Sequence, residues 1–175
     1  MSYQSFQTLQ PAFKALGHIG GGQFPCGQIH SGCTLVMVPL TGGYIKSVEG
    51  FDFQLDMEVK GGEDWFEVDN DMKTGRLKID VMASDAEGRC LRFIVDGLTP
   101  IPENINALLA GDPNGKTNEW GFGADAIRIQ TGHPEYKALE GMVFAGSQRF
   151  RKLESGMIAA EVHISRVIPG TGDQS

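Results

Sequence analysis

Period-two alternation of apolar and polar residues constrains this chain more than any other feature. Phe51, Phe53, Leu55, Met57 and Val59 alternate with Asp52, Gln54, Asp56 and Glu58. A β-strand with one face buried and one face wet separates side chains in this way. Leu77, Ile79, Val81 and Ala83 repeat the pattern, as do Leu91, Phe93 and Val95. Between those two runs, Asp85-Ala86-Glu87-Gly88 predicts a hairpin turn. Lys78, Asp80, Arg92 and Asp96 fall on the opposite face, where solvated charges belong.

The same reading predicts strands over Thr34–Leu40, Gly43–Val48, Asp64–Asp69, Phe122–Thr131, Gly141–Phe150 and Met157–Val167. Gly61-Gly62 is expected to end the strand that starts at Phe51. A short helix is expected over Pro102–Gly111, opened by proline and stopped by glycine, with a second helical turn around Glu135–Leu139. The 24 scattered glycines fit a chain of many turns. Gly17–Gly32, inside an N-terminal segment running to residue 32, is expected to be a mobile loop at a barrel mouth, and Pro169–Ser175 a frayed tail. At 175 residues the chain fits one domain, 1–175. Eight or so short strands with one helix predict an all-β fold, a barrel or a sandwich. A closed antiparallel barrel removes exposed edges and leaves room for one small ligand.

Charge and motifs exclude several function classes. A net charge of −7 disfavours nucleic acid and anionic membrane surfaces; Arg149, Arg151 and Lys152 form too small a basic cluster. The start of the chain does not read as a signal peptide, and no apolar run is long enough to span a bilayer, so the cytosol is the expected location. Cys26, His30, Cys33 and His18 match no zinc spacing, so no metal is expected. Gly17-His18-Ile19-Gly20-Gly21-Gly22 lacks the GK[ST] and the strand–loop–helix context of a phosphate loop. No GxSxG or HExxH occurs.

Chemistry is therefore sought in polar residues that share phase with apolar neighbours. Asp64 is in phase with Phe66 and Val68, and Asp125 with Ile127, Ile129 and Thr131. If those faces line a cavity, burial raises both carboxyl pKa values and makes them proton donors near neutral pH. The plainer alternatives are a turn residue at Asp64 and a strand-start cap at Asp125. Phe53, Trp65, Phe66, Phe93, Trp120, Phe122 and Phe144 are core formers by default. In a barrel the core wall is also the pocket wall, so these aromatics, with Tyr44 and Thr131, are the candidate substrate-binding residues.

Val38-Pro39-Leu40-Thr41-Gly42-Gly43, Gly61-Gly62-Glu63-Asp64-Trp65, Val95-Asp96-Gly97, Thr131-Gly132-His133-Pro134-Glu135-Tyr136 and Val143-Phe144-Ala145-Gly146 occur in order. Together they resemble the domain-of-unknown-function family 3237, from about Thr34 to Val167. The resemblance implies a lipocalin-like barrel. A fungal branch of that family carries out intramolecular hydroalkoxylation of prenylated aromatic polyketides such as phenalenones, without a cofactor. It implies a cyclase or isomerase of natural-product biosynthesis acting on a small apolar aromatic, with Asp64 as the carried-over acid. Family members often carry arginines where Ile94, Asp96 and Ala124 stand here, which implies a less cationic pocket. The rival expectation is a non-catalytic carrier of an apolar metabolite; a third is a structural module without a cavity. A homodimer is left open.

Overall fold

The computed structural model describes residues 5–171. Among these residues there are nine strands: β1 (Thr8–Ile19), β2 (Phe24–Gln28), β3 (Thr34–Ser47), β4 (Asp56–Val68), β5 (Thr74–Ser84), β6 (Cys90–Pro100), β7 (Gly123–Gln130), β8 (Phe144–Lys152) and β9 (Ile158–Ile168). All pairings are antiparallel, in the order β1-β9-β8-β7-β6-β5-β4-β3-β2. A further pairing of β1 with β3 closes eight strands into a barrel and leaves β2 as an extra strand on β3. The helix α1 (Glu103–Leu109) and a 3₁₀ segment (Pro134–Gly141) are the two helical pieces. The expected all-β antiparallel barrel is the fold observed.

Several boundaries differ from expectation, each for a local reason. Phe51–Leu55 is a turn, not strand; Phe51 and Leu55 are buried all the same, because the turn folds back as a plug. The two runs at Thr34–Leu40 and Gly43–Val48 are one continuous strand, β3. Gly61-Gly62 does not end a strand either. On the β5 side, β4 carries one residue more than its partner between Val59 and Gly61. This bulge moves the buried set from the odd positions Met57 and Val59 to the even positions Asp64, Phe66 and Val68. Half of the Gly17–Gly32 stretch is β1 and β2 rather than loop. Of the expected tail, Pro169–Thr171 has no regular structure, and residues 172–175 lie outside the described residues.

Successive turns alternate between the barrel's two ends. One end is plugged by Phe13, Phe51, Leu91, Leu139 and Phe144, all nearly fully buried. Phe13 packs edge-on to Phe51 at 5.1 Å and tilted against Phe144 at 5.5 Å; such pairs add about 0.5–1.5 kcal/mol each beyond simple burial. Arg89 pins the turns at this end through Asp85, Glu87 and Glu135, and the Tyr136 hydroxyl donates to Asp85 at 3.0 Å. The opposite end carries α1. Ile105 and Leu108 of α1 pack on Phe150 there, and the Gln23 side chain donates to the Leu109 carbonyl at 3.2 Å. The inner faces of β5 and β6 turn Leu77, Ile79, Val81, Leu91, Phe93 and Val95 into the interior, as the alternation requires.

Candidate active site

Between the plug and α1 lies an interior cavity of about 90 Å³. Its wall is aliphatic and aromatic, with Leu40, Val81, Phe93 and Phe150 among the lining residues. Asp64 and Asp125 bring the two carboxyls to that wall, and no lysine or arginine lines it. A second chamber of about 180 Å³ adjoins it beneath the end of α1, lined by Phe66, Val68, Leu109 and others. Asp64 and Phe150 border both chambers.

The bulge in β4 is what turns Asp64 inward. Past Gly61, Gly62 lies against Val81 so closely that an added Cβ would sit 2.4 Å from the Asp80 carbonyl oxygen. Asp64 then pairs with Val38 on one side and Ile79 on the other. Its Oδ1 accepts the backbone N–H of Lys78 at 3.0 Å. Asp125 is placed by glycines. It sits opposite Gly97 on β6 and Gly146 on β8. A Cβ at Gly97 would fall 2.2 Å from Asp125 Oδ1, and one at Gly146 2.9 Å from Oδ2. The carboxyl thus occupies space that side chains on both neighbouring strands would fill. Asp125 Oδ1 is buried and has no hydrogen-bond partner.

Burial pushes the Asp64 carboxyl up to about 7, against the opposing pull of the Lys78 N–H. Burial also raises Asp125 to about 7, and the charge of Asp64 adds to it. Ionised Asp64 therefore favours protonated Asp125, and near neutrality the pair tends to hold a single proton. A consequence for stability follows. An acid whose pKa is higher in the folded than in the unfolded chain binds its proton more tightly when folded. Stability is then fullest below the ordinary carboxyl range near pH 4 and is lost as pH rises through about 7. The melting temperature is expected to fall by roughly 5 °C or more between pH 5 and pH 8. Differential scanning calorimetry checks this; a melting temperature that rises over that interval contradicts it.

The other candidates are dispersed. Phe93 lines the inner chamber and Phe66 the outer. Phe144 is buried in the plug, and Phe53 packs against Phe51 at 6.0 Å. Trp65, next to Asp64, points to solvent, and its indole N–H donates to Glu63 at 2.9 Å. Trp120 lies on the outside of β8 and β9, stacked on His163 at 4.2 Å with the Arg149 guanidinium 4.7 Å from its ring. Phe122 packs with the cluster around Phe150. Thr131 caps the end of β7, donating to the Cys90 carbonyl at 2.8 Å. Tyr44 faces outward beside Lys46. Ile94, Asp96 and Ala124 are also out of phase with the interior. Their side chains do not set the charge of the pocket; its lack of cations comes from the lining residues themselves. Sequence reasoning missed Phe150, which lies in phase with Phe144, and the glycine cradle around Asp125. Gly97 and Gly146 carry no side chain to announce their role.

Fold and site define a closed antiparallel β-barrel whose apolar interior holds two carboxyls. The chain belongs to the DUF3237 family, described as proteins of unknown function, whose pattern matches residues 7–167. No curated protein matches it. Solved structures share the fold. A conserved protein of unknown function from Rhodopseudomonas palustris is 20% identical, with a TM-score of 0.74 over 93% of this chain and 99% of its own. A β-barrel-like protein from Acinetobacter baumannii is 17% identical, with a TM-score of 0.69 over 93% and 97%. An enzyme from Penicillium herquei is 16% identical, with a TM-score of 0.59 over 96% and 99%. No helix among the described residues is long and apolar enough to cross a membrane, and no three histidine, cysteine or acidic side chains there group as metal ligands.

Proposed function

We propose that this protein is a cofactor-free cyclase that closes a dihydrofuran ring by intramolecular hydroalkoxylation of a prenylated aromatic polyketide. The observation that carries the reading is the placement of two raised-pKa carboxyls, one without any hydrogen-bond partner, on the wall of an otherwise apolar cavity. The enzyme from Penicillium herquei among the fold's relatives supports a catalytic role for such a barrel.

Asp125 is the proton donor. Its unpartnered oxygen has no competing acceptor, and ionised Asp64 keeps it protonated. On a 1,1-dimethylallyl substituent beside the hydroxyl, transfer of its proton to the terminal alkene carbon breaks the π bond and leaves a secondary cation, whose capture closes a five-membered ring at a new stereocentre. The faces of Phe93 and Phe150 shield that cation; Trp65, which faces solvent, has no part in it. The substrate hydroxyl then attacks the cation, forming the C–O bond, and its proton passes to the Asp64 carboxylate. Proton exchange between the two acids restores the starting state. The product is an isomer of the substrate. Holding the hydroxyl and the alkene together supplies much of the acceleration.

Incubation with prenylated phenols, followed by mass and chirality analysis, tests the reading. A chiral product of unchanged mass is expected, and a net change of mass would remove hydroalkoxylation. Turnover should also fall as pH rises through about 7, since the donor must be protonated. A flat rate from about pH 5 to 9 would exclude carboxylic-acid catalysis. Binding of the same phenols without any product would point instead to a carrier.

A further inference from the structure

One buried polar side chain has no place in this mechanism. Gln148 is 2% exposed, and its Nε2 has no hydrogen-bond partner. It lies on the inner face of β8 between Gly146, which faces Asp125, and Phe150, which lines both chambers. Its cross-strand partner on β9, Val162, lines the inner chamber. On the other side it pairs with Gly123, two residues from Asp125 on the same face of β7. The amide lies across that glycine; an added Cβ there would come within 2.4 Å of Nε2.

An unpaired buried amide costs about 1–3 kcal/mol and is uncommon in a folded protein. Here the two buried side-chain atoms without a partner among the described residues, Gln148 Nε2 and Asp125 Oδ1, stand on adjacent strands at neighbouring inward positions. One is an N–H donor. The other is a carboxyl oxygen, able to donate or accept according to its proton. A hydroxyl can satisfy both whichever protonation state Asp125 holds, since it accepts through its oxygen and donates through its hydrogen.

We infer that Gln148 and Asp125 form an oxygen subsite for a hydroxyl group on an otherwise apolar, aromatic ligand. Gln148 donates to the hydroxyl oxygen, and the hydroxyl exchanges a hydrogen bond with Asp125. This rests on the cyclase reading for its biological substrate and adds a specificity residue to it: Gln148 would fix which end of the substrate lies beside Asp125, and so which ring closes.

The test uses simple probes that undergo no reaction. Wild-type protein should bind 2-naphthol about tenfold more tightly than naphthalene, the scale of one or two buried hydrogen bonds. Gln148→Leu, close in size and apolar, should bind naphthalene as wild type does and lose most of that preference. In ¹⁵N-labelled wild type, the Gln148 side-chain amide signals, assigned by their loss in Gln148→Leu, should shift with 2-naphthol and stay with naphthalene. Gln148→Met serves if the leucine variant does not fold. An unchanged preference in either variant, or no wild-type preference because a water alone fills the subsite, would overturn the inference while leaving the cyclase intact. A preference that disappears in Gln148→Leu, with no prenylated phenol ever cyclised, would keep the subsite and sink the cyclase. If neither naphthalene nor 2-naphthol binds, both fail.

Discussion

Replacing Asp125 with asparagine should lower turnover by about 100-fold or more while leaving substrate binding nearly unchanged, the usual scale for loss of a general acid. The amide keeps the shape that Gly97 and Gly146 accommodate but has no proton of the needed acidity. The variant should also lose part of the decline in stability with rising pH, because one of the two raised carboxyls is gone. At pH 8 it should melt above wild type. A structural role for Asp125 predicts the reverse: lower stability together with lower activity. Asp64→Asn separates the roles further. Removing the Asp64 charge removes one of the two causes that raise Asp125, so whatever activity survives should fall off at a lower pH than in wild type. Rate–pH profiles of the three proteins read this directly.

The second large effect is on folding. Gly43→Ala should destabilise the protein by about 3 kcal/mol or more, lowering the melting temperature by roughly 10 °C. Gly43 has a φ of +128°, and an added Cβ would fall 1.8 Å from the Leu16 carbonyl oxygen. This is the seam where β1 meets β3 and the barrel closes, with Gly17 opposite Gly43. No rotamer change can relieve a clash with backbone, so the strands must part. Gly50→Ala is a fair comparison. Its φ of +84° carries a similar conformational cost, but an added Cβ there meets nothing within 4 Å. Denaturant melts of the two variants should differ by most of the predicted amount; equal losses would show that backbone strain, not the seam, dominates.

Much of the fold was legible because alternation is enforced by burial. A strand with one face in a core cannot hide its period, and the β5–β6 hairpin fell where Leu77, Val81, Leu91 and Phe93 put it. β1 was illegible for the complementary reason. Pro11, the extra residue between Pro11 and Phe13, and Gly17 break its alternation, so its period does not show in the sequence. Asp64 and Asp125 were visible as polar residues in apolar phase. The aromatic candidates were less well read because a large ring serves equally in a plug, on an outer face or beside a cavity. Trp65 shows the difficulty. Its neighbour Asp64 was correctly phased, and two adjacent strand residues cannot both face inward. Gln148 shares phase with Phe144 and Phe150, a signal as good as that of the two acids, but an amide draws less notice than a carboxylate.

The bulge in β4 makes the interior depend on a reading frame. Everything from Glu63 to Val68 takes its inside-or-outside identity from one extra residue near Lys60. Run without the bulge, the same residues in strict alternation with Met57 and Val59 would turn Trp65 and Glu67 inward and put Asp64 in solvent. A point substitution can alter one position of this wall; straightening the bulge would exchange the whole set at once. The same barrel thus holds an acid in its cavity through the path of its backbone as much as through the identity of residue 64.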